Sequence, residues 1–446
     1  MPELPPNEAP YYDAEYETMP RDRLRDLQFE LLTETIALAY EHSALTREAW
    51  DVAGITPADI RDFDDFREKV PFLDKDAQRR YRDNRGDPFG GVLCVRPAEL
   101  TAINSTSGTT GDPTLVAELW GGGFAGRPAI MYRDFWGMGV RPGDRVALFL
   151  FTFRGATYGF VQQLGAVPLL FDYGVEEIER LLRASLRHRP TALYNFGGTM
   201  INATAAIAER AGIDPVDAFS SYRGVVFAGE PLGARARGLA TEWGMHLYEH
   251  SNVGDVTGCF ECSAHDGMHF WEDTAYVEGI DPQAIDHRDA QPVDGDRVRC
   301  ELVATALANR VAPLVRFRSD DIVEIDRSRC ACGRTHARIW TIGRKGDEIV
   351  VDGVSVLPID VWEAVERVDA CGLGLFQIVR PQRQVDTLRL RVGHDGVAAN
   401  RLVALAEEVR AAVLTSVGVE PEVELVANEE LLRLGPPHKI PRVTRK

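Results

Sequence analysis

Apolar residues in this chain follow two patterns, helical spacing and short continuous runs. From Arg21 to about His42 they recur at helical spacing, which predicts a long helix near the N-terminus. Farther along, continuous runs at Val146–Leu150, Val167–Phe171 and Val225–Phe227 are separated by helical stretches such as Val175–Arg189. Continuous apolar strands alternating with helices are typical of a sheet buried on both faces. The pattern therefore predicts an α/β fold between about residues 100 and 230.

The second half of the chain has a different pattern. Thr274–Asp281 and Arg297–Ala306 read as antiparallel strands. After Arg344 we expect a smaller α+β unit, with a strand at Leu388–Val392 and a long amphipathic helix over Ala398–Val417. A chain of 446 residues is also too long for one ordinary core, so two or three domains are expected.

Charge and composition limit the kinds of molecule that the protein is expected to bind. The formal net charge is −18 and the pI is about 5.1, so non-specific binding to nucleic acid or to an anionic membrane is not expected. No apolar run approaches the ~20 residues of a membrane helix, and the N-terminus is unlike a secretory signal. Seven cysteines, an odd number, favour a reducing compartment. We therefore expect a cytoplasmic protein.

The most informative motif is Ser105–Thr114, which reads Ser-Thr-Ser-Gly-Thr-Thr-Gly-Asp-Pro-Thr. Gly108 and Gly111 tolerate the dihedral angles that turn backbone N–H groups inward. Hydroxyl groups add hydrogen-bond donors without adding charge; they belong to Ser105, Thr106, Ser107, Thr109 and Thr110. Such a loop suits a polyphosphate, although Asp112 stands where the P-loop has a lysine. By composition alone, a polar surface loop is the alternative.

This loop resembles the phosphate loop of the adenylate-forming enzymes, and most of all that of their phenylacetate–CoA ligase-like branch. Further motifs extend the resemblance over nearly the whole chain; they include Gly139–Asp144, Ala228–Pro231, Phe317–Asp321 and Lys439–Val443. The resemblance implies ATP-dependent adenylation of an aromatic carboxylic acid, followed by thioester formation with coenzyme A. It also implies two domains. Residues 1–342 would form the AMP-binding domain, with α/β sheets covered by helices and a small β subdomain, and residues 343–446 a small mobile α+β lid.

The resemblance assigns roles around the nucleotide. Asp255 takes the position of the acid that holds Mg²⁺, and Lys439 takes that of the catalytic lysine on the lid. Asp321 matches the acid that accepts hydrogen bonds from the ribose hydroxyls, and Arg344 matches an arginine near the ribose and phosphate. Gly254 stands where the family has a hydroxyl residue, which removes one phosphate contact. The other predicted nucleotide contacts are Ser105, Thr106, Ser107, Gly108, Thr109, Thr110, Gly111, Gly229, Glu230, Pro231, Ser251 and Asn252.

Cysteine and histidine form a third cluster. Cys259 and Cys262 are followed by His265 and His269, and a C-x-C segment lies at Cys330-Ala331-Cys332. Thiolate and imidazole ligands at such spacing suit tetrahedral Zn²⁺, with reduced buried cysteines as the alternative. A similar arrangement in some phenylacetate–CoA ligase-like proteins implies a structural Zn²⁺, with Cys259 and His265 as competing ligands. The ligands implied are Cys262, His269, Cys330 and Cys332.

The sequence leaves the substrate and the acceptor open. Residues that suit an acyl pocket, and equally a core, are Phe151, Phe153, Tyr158, Phe196, Gly197, Gly198 and Asn252. One alternative keeps adenylation but changes the activated group or the acceptor. The reaction would then be nitrite-dependent diazotisation of an aryl amine, or acyl transfer to a carrier protein or amine. Another is a nucleotide-binding protein without catalysis. The sequence also leaves the oligomeric state open, with a homodimer as one alternative.

Overall fold

The structure is a computed structural model of the chain. It describes ten stretches of the sequence, which are residues 4–105, 114–118, 130–150, 157–253, 256–290, 293, 295–351, 353–382, 384–435 and 440–444. The chain divides into two compact units of two segments each. The first unit combines Met1–Gly137 with His250–Lys345, and the second combines Met138–Glu249 with Gly346–Lys446. The expectation that residues 343–446 form a mobile lid on a domain of residues 1–342 stays a prediction.

Helices open the first unit where the sequence supplies caps and apolar faces. The second helix covers Arg21–His42, as the spacing predicted. The Ser43 side chain accepts a hydrogen bond from the Thr46 N–H, and so caps the third helix. Trp50 and Phe66 then pack in the apolar core beneath these helices. The helices described in this unit are α1 (Ala14–Glu17), α2 (Arg21–His42), α3 (Ala44–Ala53), α4 (Phe63–Lys69), α5 (Lys75–Arg85) and α6 (Ile130–Gly137).

Antiparallel strands make up the rest of the first unit. Their bounds are β1 (Ala102–Ser105), β2 (Leu115–Glu118), β7 (Leu247–Val253), β8 (Thr257–Glu261), β9 (Met268–Phe270), β10 (Ala275–Ile280), β11 (Arg297–Ala306), β12 (Phe317–Asp326) and β13 (Arg338–Arg344). Strands β1 and β2 form a hairpin-like pair, and the others follow the order β10-β11-β12-β13-β9-β8-β7. The antiparallel pairing of β10 with β11 confirms what the sequence predicted there. The division of the chain falls within the range of β7, between Glu249 and His250.

The first segment of the second unit is a parallel α/β structure. Its strands are β3 (Arg145–Leu150), β4 (Val167–Asp172), β5 (Ala192–Tyr194) and β6 (Gly224–Ala228). They pair in parallel in the order β6-β5-β3-β4, which confirms the α/β prediction. The helices are α7 (Thr157–Gln163), α8 (Ile178–His188), α9 (Gly198–Ala211), α10 (Pro215–Phe219) and α11 (Ala234–Glu242). The helix predicted from residue 175 begins as a 3₁₀ turn and becomes α-helical at Ile178.

The second segment of this unit is a smaller α+β structure, also as predicted. Its strands are β14 (Ile349–Val351), β15 (Val354–Val356), β16 (Phe376–Val379), β17 (Gln384–Val385), β18 (Leu388–His394), β19 (Pro421–Ala427) and β20 (Val443–Thr444). The helices are α12 (Pro358–Glu366), α13 (Leu402–Val417) and α14 (Asn428–Leu432). Helices α12 and α13 bury apolar side chains against a sheet of order β19-β18-β16-β20. Within the described part of the chain, no helix combines the length and apolar character needed to cross a bilayer.

Candidate functional site

Four side chains of the first unit converge as potential metal ligands. The Sγ atoms of Cys262, Cys330 and Cys332 and a ring nitrogen of His269 all lie within 4.8 Å of one another. Three of these residues are buried, and Cys332 is partly exposed. These are the four residues that the resemblance implied as zinc ligands.

The distances within this cluster fit a tetrahedral zinc ion. Zn–S bonds of about 2.3 Å and Zn–N bonds of about 2.05 Å place neighbouring sulfurs about 3.8 Å apart, and a sulfur about 3.6 Å from a nitrogen. The observed Cys262 Sγ to Cys330 Sγ distance is 3.7 Å. The Cys332 Sγ to His269 Nε2 distance is 3.4 Å. Because four protein ligands fill a tetrahedron, the arrangement suits a closed structural site rather than a catalytic one.

The two competing ligands are placed elsewhere. Cys259 lies inside β8 and is fully buried in the apolar core of the antiparallel sheet. His265 lies in the turn between β8 and β9 with a φ of 49°, and its ring faces Glu261 at 3.5 Å. This turn brings the chain from Cys262 back to His269 on β9, so one ligand lies on each side of it.

The second pair of ligands comes from the loop that precedes β13. Gly333 has a φ of 89°, and its N–H donates to the Cys330 carbonyl at 3.0 Å, which closes a tight turn around the C-x-C segment. Strand β13 then pairs with β9, with Arg338 opposite His269. The His336 carbonyl lies 2.9 Å from His269 Nδ1, which leaves Nε2 to face the sulfurs. Sheet pairing therefore brings the two halves of the ligand set together.

Electrostatics distinguish two of the three thiols. Hydrogen bonding from Cys262, opposed by burial, holds the pKa of Cys332 far below its usual range. The same contact, together with burial, raises the pKa of Cys262. The cluster thus already favours a thiolate at Cys332, the form in which sulfur binds a metal.

Residues near the N-terminus surround the cysteine loop, and sequence reasoning did not find them. Arg334 donates to the Glu17 carboxylate at 2.7 Å, across 317 residues of sequence. The Tyr11 hydroxyl donates to the Cys332 carbonyl at 2.8 Å, and the Thr335 hydroxyl donates to a main-chain oxygen at residue 19. The only sequence signal was the position of Arg334 two residues after Cys332, and it did not identify a partner.

Two predicted nucleotide ligands meet in the structure. Asp321 on β12 lies opposite Arg344 on β13 in the strand register. Arg344 Nε lies 3.3 Å from one carboxylate oxygen of Asp321, and the Ser319 hydroxyl donates to the other at 2.8 Å. The Asp321 side chain is 18% exposed. It is therefore oriented by protein contacts and still reachable from solvent.

The other predicted nucleotide contacts fall into three groups. Ser105 ends β1 opposite Leu115, and Ser251 and Asn252 lie on β7 opposite Cys259 and Gly258. The second unit carries the others in a loop that follows β6, where Gly229 has a φ of 90°. The remaining predicted residues lie outside the described stretches; they are Thr106, Ser107, Gly108, Thr109, Thr110, Gly111, Asp255 and Lys439.

Glu230 in the loop after β6 has a partner that the sequence did not indicate. Its carboxylate accepts two hydrogen bonds from Arg442, at 2.8 and 2.9 Å. The neighbouring Gly229 and Pro231 complete the predicted adenine loop at the carboxyl end of the strand, which is where nucleotides bind in open α/β sheets. The assignment of this loop to adenine stays a prediction.

Of the acyl-pocket candidates, Phe196 is a core residue. It is fully buried and stacks on Phe149, with ring centroids 5.8 Å apart and an interplanar angle of 20°. Tyr158, by contrast, is 42% exposed. Gly198 begins α9 and packs closely against Leu232. Phe151 and Phe153 lie outside the described stretches.

Comparison with known proteins gives a consistent result. No protein-family model matches the chain. It is 28% identical to the phenylacetate–coenzyme A ligase of Thermus thermophilus, in an alignment covering 97% of this chain and 96% of the relative. It is 29% identical to the phenylacetate–coenzyme A ligase of Pseudomonas putida, with 80% of each chain covered.

Solved structures show the same likeness. A 2-hydroxyisobutyryl-CoA ligase in the postadenylation state with 2-HIB-AMP superposes with a TM-score of 0.80 at 25% identity, covering 100% of this chain and 94% of that one. The same ligase with 2-HIB-AMP and CoA in the thioesterification state has a TM-score of 0.69 at 26% identity, covering 96% and 91%. Sequence motifs, fold and relatives thus agree over nearly the full length of the chain. The chain is therefore similar to phenylacetate–coenzyme A ligases over nearly its whole length, and it is an AMP-forming acid–thiol ligase by enzyme class.

Proposed function

We propose that this enzyme activates an aromatic carboxylic acid with ATP and transfers the acyl group to coenzyme A. One observation carries the proposal, the likeness to phenylacetate–coenzyme A ligases across 97% of the chain. A solved neighbour that holds an acyl-adenylate supports ATP as co-substrate, and its complex with CoA supports CoA as acceptor. That neighbour is named for a small aliphatic acyl group, so the aromatic class of substrate rests on the curated relatives.

The first half-reaction asks the protein mainly for positioning and charge. A carboxylate oxygen of the acid bonds to the α-phosphorus of ATP, and the bond from that phosphorus to pyrophosphate breaks. Asp321 would accept hydrogen bonds from the two ribose hydroxyls, and Arg344 beside it would place positive charge near the phosphates. Lys439 would balance charge on the reacting carboxylate and α-phosphate. The Mg²⁺ that Asp255 would hold neutralises phosphate charge when bound.

The second half-reaction releases AMP. The sulfur of CoA bonds to the acyl carbon, the bond from that carbon to the AMP oxygen breaks, and the thiol proton leaves to solvent. Neither step needs a covalent bond to the protein, so residues that orient substrates account for catalysis.

A structural Zn²⁺ is the second part of the proposal. Cys262, His269, Cys330 and Cys332 would hold it with no open coordination position. When bound, the ion links the turn between β8 and β9 to the loop before β13. Its role is then to stabilise the first unit, and no chemical step passes through it.

The test is ATP-dependent pyrophosphate release with a panel of aryl acids, and with nitrite plus aryl amines, each with and without CoA. We expect release with one aryl acid and a thioester only when CoA is present. The Lys439→Ala variant should lose most of the release, and near-normal release by it would refute the role of the lysine. Release driven by nitrite would favour the diazotisation alternative, which the altered sequence Asn252-Val253-Gly254-Asp255 leaves open. ATP binding without release from any candidate would contradict catalysis altogether.

A further inference from the structure

Arg442 lies three residues after Lys439 and directly before β20. Its main chain is held in place, because the Ile378 N–H donates to the Arg442 carbonyl at 2.7 Å and β20 pairs in parallel with β16. Ile440, which precedes Arg442 in the same stretch, is buried in an apolar cluster and only 2% exposed. The chain on the carboxyl side of Lys439 is therefore anchored to the small sheet.

The Arg442 side chain is held equally firmly. Its guanidinium lies 3.9 Å from the centroid of the Trp362 ring and 4.7 Å from that of Phe376. One of its N–H groups donates to the Gly374 carbonyl at 2.7 Å. Nε and the other terminal nitrogen donate to the two carboxylate oxygens of Glu230, and the two side chains are only 9% and 12% exposed. A buried bidentate pair of this kind fixes both distance and direction.

A second contact joins the same two segments of the unit. The Glu366 carboxylate on α12 accepts from Asn202 on α9 at 3.0 Å, and from the Arg235 N–H at the start of α11 at 3.2 Å. Gly233 lies so close that a Cβ there would stand 2.1 Å from a Glu366 oxygen. Because Arg442 is not a partner in these hydrogen bonds, the two segments keep one attachment when the Arg442 pair is removed.

We propose that Arg442 and Glu230 are positioning residues, which hold the stretch 440–444, directly after Lys439 in the sequence, against the loop after β6 during the adenylation half-reaction. The inference rests on the proposed function, since it uses the predicted role of Lys439. Glu230 acts through Arg442 rather than through ATP, because both of its oxygens are bound by that arginine. Thioester formation from a finished adenylate does not use the lysine in this role, so it does not require the pair.

The experiment compares the two half-reactions in Glu230→Gln, Arg442→Gln, the double variant and Arg442→Lys. Adenylation is followed by ATP–pyrophosphate exchange, and thioester formation by a single turnover of chemically prepared acyl-adenylate with CoA. Arg389→Gln is the matched control, because Arg389 pairs with Glu422 across two strands of the same small sheet and both side chains are exposed.

We expect each single Gln variant to lower the exchange kcat about ten- to a hundredfold, the size expected for lost charge-assisted hydrogen bonds, with little change in KM for ATP. The double variant should be no slower than the slower single variant, since one interaction is removed in each case. Arg442→Lys should fall between wild type and Arg442→Gln, and the control should match wild type. Thioester formation should stay within about twofold of wild type in the two Arg442 single variants, which leave the predicted adenine loop unchanged.

Other results separate the possible failures. Additive losses, or a raised KM for ATP in Glu230→Gln alone, would mean that Glu230 contacts the nucleotide directly. Equal losses in both half-reactions would mean that the pair only stabilises the fold. If the wild type shows exchange and the variants exchange equally fast, the inference is overturned and the proposed function stays intact. No exchange by the wild type with any acid would overturn both.

Discussion

Asp134 on α6 provides a test of how a buried carboxyl group affects stability. The residue is 3% exposed, and one oxygen accepts a hydrogen bond from the Trp271 indole N–H at 3.2 Å. The two nearby arginines are engaged elsewhere, because Arg133 forms a bidentate pair with Asp273 and Arg334 binds Glu17. Burial raises the pKa of Asp134 from 3.8 to about 8, against the smaller lowering effects of Trp271 and the arginines.

The sign of the pH dependence follows from this shift. Between pH values of about 4 and about 8 the folded chain holds a proton on Asp134 that the unfolded chain has released. The free energy of unfolding therefore falls as pH rises, by about 1.4 kcal/mol per pH unit for one proton. From pH 6 to pH 8 the loss is about 2 to 3 kcal/mol, and above pH 8 the loss from this group ends.

The perturbation is Asp134→Asn, which keeps an acceptor oxygen for Trp271 and removes the titration. The assay is urea unfolding followed by tryptophan fluorescence at pH 6, 7 and 8, a range above the pI of 5.1, where the chain carries net charge. Asp26→Asn, at an exposed position on α2, is the control. We expect the variant to gain about 2 to 3 kcal/mol on wild type between pH 6 and pH 8. A difference that is flat with pH would refute the reasoning, and one of opposite sign would show that Asp134 is ionised and paired.

Three further outcomes are expected. Elemental analysis of the purified protein should find about one zinc per chain. The Cys330→Ser variant should lose the zinc, and the Cys94→Ala variant should keep it. Wild-type protein without zinc would refute the metal proposal. Asp273→Asn should cost about 3 to 5 kcal/mol of unfolding free energy, because it leaves the buried Arg133 charge with only the more distant Asp13 carboxylate, 3.8 Å away, whereas Arg133→Met with Asp273→Leu should recover most of it. Asp321→Ala should raise KM for ATP about ten- to a hundredfold with a small stability change, and an unchanged KM would contradict the ribose role.

Local patterns predicted most of the elements of the fold. Arg21–His42 and Arg297–Ala306 have the bounds that the sequence predicted. Both follow from side-chain periodicity, which each segment carries within its own sequence. The ends of elements were less well predicted. The helix expected over 398–417 begins with a 3₁₀ turn and is α-helical only from Leu402, because terminal turns depend on contacts beyond the segment.

The candidate metal ligands show where local reasoning stops. Spacing alone allowed Cys259 and His265 as well as the set that the structure brings together. The register of β8 decides the matter, since Cys259 lies within the strand and faces the core, whereas Cys262 follows its last residue. That register depends on pairing with β7 and β9, which the segment does not contain.

The sequence by itself determined the type of most elements, the resemblance to a family and the kind of chemistry that each motif suits. Only the tertiary structure decided which charges meet. Glu17 and Arg334 are 317 residues apart, and Glu230 and Arg442 are 212 apart. A buried charge requires a partner whatever its position, but the partner is the group that chain topology places beside it. Periodicity and motif spacing extend over a few residues, so they predict the elements and leave burial and ion pairing to the fold.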